Sequence, residues 1–231
     1  MSVFVSAAEL NERIQTGRKQ TIIAALWEPK DGKAWSKFQS EHIPTALYCD
    51  PSVQLAGMPG RAVGRNPMPS IDVVRKAAAG WGIEDGRPVY IYDGGNGLFA
   101  ARAWWILRWA GVTDVHILDG GFATWDGEGF PTVAGPGGIV VPRDVELTEG
   151  SLPSATMEDV RAFEGLLIDA RGARRFQGLR EILDLRAGHI PGARNLPVND
   201  LFDTETHKVK DTDTIRDRFS QLGVTQNTDP A

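Results

Sequence analysis

Asp93-Gly94-Gly95-Asn96-Gly97 is the segment of this chain whose residue types best suit chemistry. It follows an apolar run, Val89-Tyr90-Ile91-Tyr92, and precedes a stretch with helical spacing from Leu98 to Ala110. Several glycines let successive backbone N–H groups converge on one centre and form an anion-binding nest. The helix behind it adds about half a positive charge at its N-terminus. Such a cradle suits a phosphate, or a thiolate or persulfide at the loop's first position, where it lowers the thiol pKa. Here the first position is Asp93. A carboxylate there either accepts the nest's hydrogen bonds and locks the loop, or acts as a catalytic group. It cannot carry a sulfur atom between substrates. No Gly-Lys-Ser/Thr comes after it, so the loop is not a nucleotide-binding P-loop.

The remaining reactive side chains read as structural. Cys49 is the single cysteine, which excludes an intrachain disulfide and a cysteine-built zinc cage. It falls where a strand is expected and reads as a small buried hydrophobe rather than a nucleophile. His42 and His189 each precede Ile-Pro at equivalent places, which points to hydrogen bonds with backbone groups rather than to catalysis. Neither has cysteine or acidic neighbours at metal-ligand spacing, so no metal and no other cofactor is expected. His116 and His207 carry no readable context.

The elements that position these residues come as a repeat whose second copy stops early. Ile22-Ile23-Ala24-Ala25-Leu26-Trp27 runs on to His42-Ile43-Pro44, and Leu166-Leu167-Ile168-Asp169-Ala170-Arg171 runs on to His189-Ile190-Pro191. Each copy then has a loop and a helix ending in Trp81-Gly82-Ile83 or Leu222-Gly223-Val224. Only the first continues into the strand Val89 to Tyr92 and the glycine-rich loop; the second reaches Asp229-Pro230-Ala231, the counterpart of Arg87-Pro88. Strands are expected at Val3 to Val5, Thr21 to Leu26, Val89 to Tyr92, Val115 to Leu118 and Leu166 to Ile168. Runs that are apolar throughout suit a parallel sheet covered on both faces. Ser6 with Glu9 and Thr156 with Asp159 have capping-box spacing at helix starts. Ser70 and Asp211 sit where they cap two further helices, and Trp104, Trp105 and Trp109 form a core stripe on the helix after Asp93. Two prolines and three glycines between Pro131 and Gly138 mark a linker.

A length of 231 residues suits two domains, placed at 1–137 and 138–231. The net charge of −5 argues against a nucleic-acid or anionic-membrane binder. No apolar run approaches the roughly 20 residues of a membrane span. The N-terminus has no basic stretch followed by an apolar core, so a cytoplasmic protein is expected.

Ala187-Gly188-His189-Ile190-Pro191-Gly192-Ala193, shortly before Leu196-Pro197, is similar to the first signature of rhodanese-like sulfurtransferases. Leu118-Asp119-Gly120-Gly121-Phe122 with Trp125 is similar to the second, and Tyr92-Asp93 with Ala100-Ala101-Arg102-Ala103-Trp104-Trp105 resembles the N-terminal half of two-domain members. The resemblance implies an α/β fold of two tandem rhodanese-like domains, each a doubly wound, mostly parallel sheet flanked by helices, with the second incomplete. In the resembled N-terminal half the loop cysteine is typically lost, which makes Asp93, Gly94, Gly95 and Gly97 a vestigial loop. The implied activity is transfer of a sulfane sulfur from thiosulfate or 3-mercaptopyruvate to cyanide or a thiol through a cysteine persulfide. The partners implied are therefore a small anionic sulfur donor and a thiol or cyanide acceptor.

Within Asp169-Ala170-Arg171 and Arg174-Arg175-Phe176 the resemblance assigns donor binding to Arg175 first and Arg171 next. A guanidinium fork suits thiosulfate or a mercapto-acid carboxylate. The alternative, for Arg171 foremost and also for Arg175, is a tie to a carboxylate such as Asp169 or Asp119. Glu181, with Asp184, matches an acidic pair in a loop that lines the resembled pocket, although Ile182-Leu183 replaces the usual Pro-Ile between them. The catalytic cysteine is expected beyond Ala231, which makes these 231 residues alone inactive. A non-catalytic module that binds an anion or a partner is the alternative.

Overall fold

The computed structural model describes residues 2–184 and 186–225 and divides into two compact units, Met1–Leu152 and Pro153–Ala231. The counterpart segment Asp229-Pro230-Ala231 lies outside the described residues.

The first unit is built on five parallel strands: β1 (Phe4–Val5), β2 (Thr21–Ala25), β3 (Leu47–Cys49), β4 (Val89–Tyr92) and β5 (Val115–Leu118). Their spatial order is β1-β5-β4-β2-β3. β4 lies at the centre, with Thr21↔Val89 and Ala24↔Tyr92 bounding its register on β2. Successive side chains of a strand point to opposite faces, and both faces of this sheet are packed. Ile23, Ala25, Val89 and Ile91 join one core cluster, with α4 (Ile71–Gly80) and α5 (Leu98–Trp109). Ile22, Ala24, Tyr90 and Tyr92 join the other, with α1 (Ala7–Gln15), α2 (Lys33–Ser40) and α6 (Gly121–Gly127). β2 and β4 are buried at every position because neither face of the sheet meets water there.

Helix ends are only partly the expected ones. Ser6 accepts from Glu9 N, one half of a capping box, and the Ser70 hydroxyl at the start of α4 makes no capping bond. The short α3 (Pro51–Gln54) is capped by Asp50. The Pro131–Gly138 stretch is not a free linker. Val133 bridges His42, Gly135 N donates to Gln39 O, and Gly138 N donates to Ala46 O. A Cβ at Gly137 would lie 2.6 Å from Ala46 O, and one at Gly138 2.6 Å from Thr45 O. These glycines serve close approach, not flexibility. Beyond them, Val145 and Leu147 are buried in the first core, and Thr148 N and Ser151 N donate to Ala110 O and Trp109 O. The division between compact units therefore falls after Leu152 rather than after residue 137.

The second unit contains α7 (Met157–Ala162), β6 (Ile168–Asp169), α8 (Ala173–Phe176), β7 (Arg194–Asn195), a 3-10 turn (Val198–Leu201) and α9 (Thr212–Gln221). Thr156 and Asp159 form a complete capping box at α7, and Asp211 caps α9 through Thr214 N at 2.9 Å. β6 and β7 pair in parallel, with Asp169 opposite Asn195. β6 begins at Ile168 rather than Leu166.

Candidate functional site

The loop after β4 closes on its own first residue. Asp93 is 2% exposed. Its Oδ1 accepts from Gly95 N at 2.9 Å and Gly97 N at 3.1 Å. Its Oδ2 accepts from Phe99 N at 3.1 Å and Ala100 N at 3.3 Å, in the first turn of α5. Gly95 and Gly97 have φ of 134° and 72°, which lets both N–H groups turn inward. The Asp93 carbonyl accepts from Phe122 N at 2.8 Å, and Gly121 packs so closely that a Cβ there would lie 2.7 Å from that oxygen. The cradle and the helix dipole thus hold a negative charge that the chain itself supplies. Gly94 is exposed and contributes no N–H to the carboxylate.

The second cluster is in the second unit, around the end of β6, α8 and the loop after it. Asp169, at the end of β6, receives Arg171 Nε at 3.0 Å and Nη2 at 2.6 Å. Arg171 Nη2 also donates to Gly188 O at 2.7 Å, which ties this segment to the Gly188-His189 turn. The Arg171 guanidinium pulls the Asp169 carboxyl below its ordinary pKa, and the carboxylate raises that of Arg171. Arg175 projects from α8 onto Glu181, with Nε at 3.0 Å from Oε2, and onto Asp184, with Nη2 at 2.8 Å from Oδ2. Glu181 turns its other oxygen to Leu183 N at 2.8 Å and Asp184 N at 3.1 Å. These backbone donors, with Arg175, bring its carboxyl down to about 2. Both oxygens of Glu181 are thereby engaged, so it faces the guanidinium that an anion would use rather than the anion itself. Arg171 also feels the charges of Glu181 and Asp184, so these groups form one cluster.

The other candidates are accounted for within the fold. Cys49 is fully buried at the end of β3, and burial pushes its thiol well above the usual cysteine range. His42 Nδ1 lies 2.7 Å from Phe38 O, with the two rings stacked at 4.1 Å. His189 repeats this with Phe176, at 2.7 Å to the carbonyl and 3.7 Å between rings. Arg102, to which the sequence alone assigns no role of its own, is an anchor. Its Nε and Nη2 donate to Leu55 O at 2.9 and 2.6 Å, and Nη2 reaches Pro67 O at 3.3 Å. Its partners are carbonyls, which leave no side-chain signal in a sequence. Among the described residues no group of three or more His, Cys, Asp or Glu is placed to hold a metal, and no helix is long and apolar enough to cross a membrane.

Residues 6–128 match the rhodanese-like domain. The chain belongs to the rhodanese-like family. The thiosulfate sulfurtransferase of Gallus gallus is 30% identical over 230 residues, covering 95% of this chain and 78% of the relative. The 3-mercaptopyruvate sulfurtransferase of Escherichia coli K12 is 31% identical over 242 residues, covering 96% of this chain and 79% of the relative. SseB of Mycobacterium tuberculosis is 34% identical over 200 residues, covering 84% of this chain and 70% of SseB. Among solved structures, the crystal structure of SseA from Escherichia coli, a 3-mercaptopyruvate sulfurtransferase, aligns with a TM-score of 0.81 at 30% identity. That alignment covers 99% of this chain and 86% of SseA. This rhodanese-like chain therefore has sulfurtransferases as its relatives and shares their mostly parallel α/β fold.

Proposed function

We propose that this rhodanese-like chain is the donor-binding portion of a two-domain sulfurtransferase. The enzyme moves a sulfane sulfur from thiosulfate or 3-mercaptopyruvate to cyanide or a thiol through a cysteine persulfide. A thiolate attacks the donor's transferable sulfur, and sulfite or pyruvate enolate leaves with the bonding electron pair. The acceptor then attacks the terminal sulfur of the persulfide and releases the thiolate. The two compact units are read as the two domains, and the guanidinium of Arg175, with Arg171 beside it, as the group that receives the donor's anionic end. A fork held at fixed orientation gives directional, charge-assisted hydrogen bonds to such an end.

The observation that carries the assignment of roles is the placement of the two groups at which a nucleophile was sought. Asp93 fills the first copy's cradle, and Cys49 is fully buried with its thiol pKa raised. We therefore read the nucleophile as a cysteine on the second copy's equivalent loop, and a chain lacking that cysteine as inactive. A cytoplasmic setting fits a chain whose single cysteine is free. The second reading, a non-catalytic anion- or partner-binding module, is favoured by the same carboxylate standing where a thiol would act. Its anion site would be the arginine cluster, because the glycine-rich loop is already filled.

The test is turnover of thiosulfate and 3-mercaptopyruvate with cyanide, using the 231-residue protein and its Cys49→Ser variant, alongside calorimetric titration with thiosulfate. Neither protein should turn over, and thiosulfate should bind in a manner lost with Arg175→Ala. Turnover that survives Cys49→Ser would overturn the assignment of the nucleophile. Absence of thiosulfate binding would overturn the donor site.

A further inference from the structure

The arginine cluster carries more negative than positive charge. Arg171 and Arg175 face three carboxylates, those of Asp169, Glu181 and Asp184. The three are not equivalent. Asp169 accepts from Arg171 through both oxygens, and its side chain is 14% exposed. Glu181 is 5% exposed, with one oxygen on Arg175 and the other on two backbone N–H groups. Asp184 is 41% exposed, and its contact with Arg175 is a single bond from Nη2 at 2.8 Å. Arg175 Nη2 also lies 2.9 Å from Glu181 Oε2, so an anion approaching that nitrogen from solvent meets the most exposed of the three carboxylates there.

We propose that Asp184 is a built-in competitor for the anionic sulfur donor on Arg175, while Glu181 is the positioning residue that keeps the guanidinium in place when Asp184 gives way. The donor's sulfonate or carboxylate takes the Nη2 bond, and the 41% exposed Asp184 side chain turns towards water. The exchange replaces one anion by another on the same nitrogen. A neutral thiol cannot displace Asp184, which makes the competition selective for donors with an anionic end. This inference rests on the assignment of Arg175 as the donor-binding group.

The experiment is calorimetric titration of sodium thiosulfate into the 231-residue protein at fixed ionic strength. It compares wild type with Asp184→Asn, Asp184→Glu, Glu181→Gln, Arg175→Ala and Asp72→Asn. Asp72 is an exposed partner of Arg75 in the first unit, so its change alters net charge equally while leaving the cluster intact. An exposed ion pair contributes up to about 1 kcal/mol, so Asp184→Asn should tighten binding roughly two- to five-fold. Asp184→Glu should return affinity to the wild-type value, Glu181→Gln should weaken it, and Asp72→Asn should leave it unchanged. Binding that depends on Arg175 but is unchanged or weakened by Asp184→Asn would overturn the competition and leave the donor site standing. Equal tightening by Asp72→Asn would reduce the effect to net charge and overturn it too. Absence of binding in both wild type and Asp184→Asn would remove the donor site, and this inference with it.

Discussion

Four backbone N–H groups end on the carboxylate of Asp93, and they are the groups that would otherwise stabilise a thiolate or a bound anion. That the loop is a nest was legible from its glycines and its place between an apolar strand and a helix. Which side chain fills the nest was legible only as two alternatives, because a carboxylate at that position suits both locking and catalysis. The geometry favours locking, since all four bonds go to the chain's own backbone. Asp93→Ala leaves these donors without an acceptor, two of them in buried surroundings. Bonds to a charged group contribute about 1.5–3 kcal/mol each and unmet buried donors cost comparably, so the substitution should lower stability by roughly 3 kcal/mol or more. Asp72→Ala, which breaks an exposed pair, should cost about 1 kcal/mol at most. Urea unfolding midpoints compare the two. Equal losses would mean that the carboxylate does not hold the loop. At the other site, the Arg171–Asp169 tie was among the sequence's alternatives. A carboxylate tie was also an alternative for Arg175, but Glu181 and Asp184 as its partners were not legible, because a loop that folds back on a helix leaves no periodic signal.

At the level of elements, the first unit's central strands were legible because they are largely apolar runs, and β4 and β5 begin and end where hydrophobicity puts them, whereas the polar pair Arg194–Asn195 of β7 gave no such signal. The segment from Pro131 to Leu152 was not. Proline and glycine read as a linker, whereas here glycine is required by carbonyl oxygens 2.6 Å from where a Cβ would stand. Residues 139–152 have no regular secondary structure, so no periodicity announces that they pack. Yet Leu147 is 8% exposed within the core that includes α4 and α5. Leu147→Ala should therefore destabilise the first unit by about 2–4 kcal/mol, the usual cost of emptying a core leucine site. Exposed Ile139, at 98%, provides the contrast, since Ile139→Ala should fall within about 0.5 kcal/mol of wild type. Thermal unfolding of both variants checks this, and a neutral Leu147→Ala would mean that residues 139–152 do not stabilise the first unit's core.

For the molecule as a whole, the repeat in sequence is matched by a repeat in geometry, since His42 and His189 each stack on a phenylalanine and reach its carbonyl. The two units nevertheless differ in what they bury. The first holds two apolar clusters on opposite faces of a five-stranded sheet. Among the described residues of the second, Leu196 is the single buried hydrophobic, and α7, α8 and α9 bury none. Fixing each residue's backbone costs about 1–2 kcal/mol, while each fully buried large apolar side chain returns about 1.5–3 kcal/mol. A unit with so few buried side chains has little to set against that entropy. Its exposed ion pairs, such as Arg161–Glu158 and Arg216–Asp213, hold conformation but add about 1 kcal/mol or less each. Native-state hydrogen exchange should therefore separate the units. Amides of β2, β4 and β5 should exchange on the order of a thousandfold more slowly than those of β6, β7 and α9, reflecting independent opening. Equal protection in both units would mean that they open together, and the second unit's stability would then have to come from somewhere other than its own core.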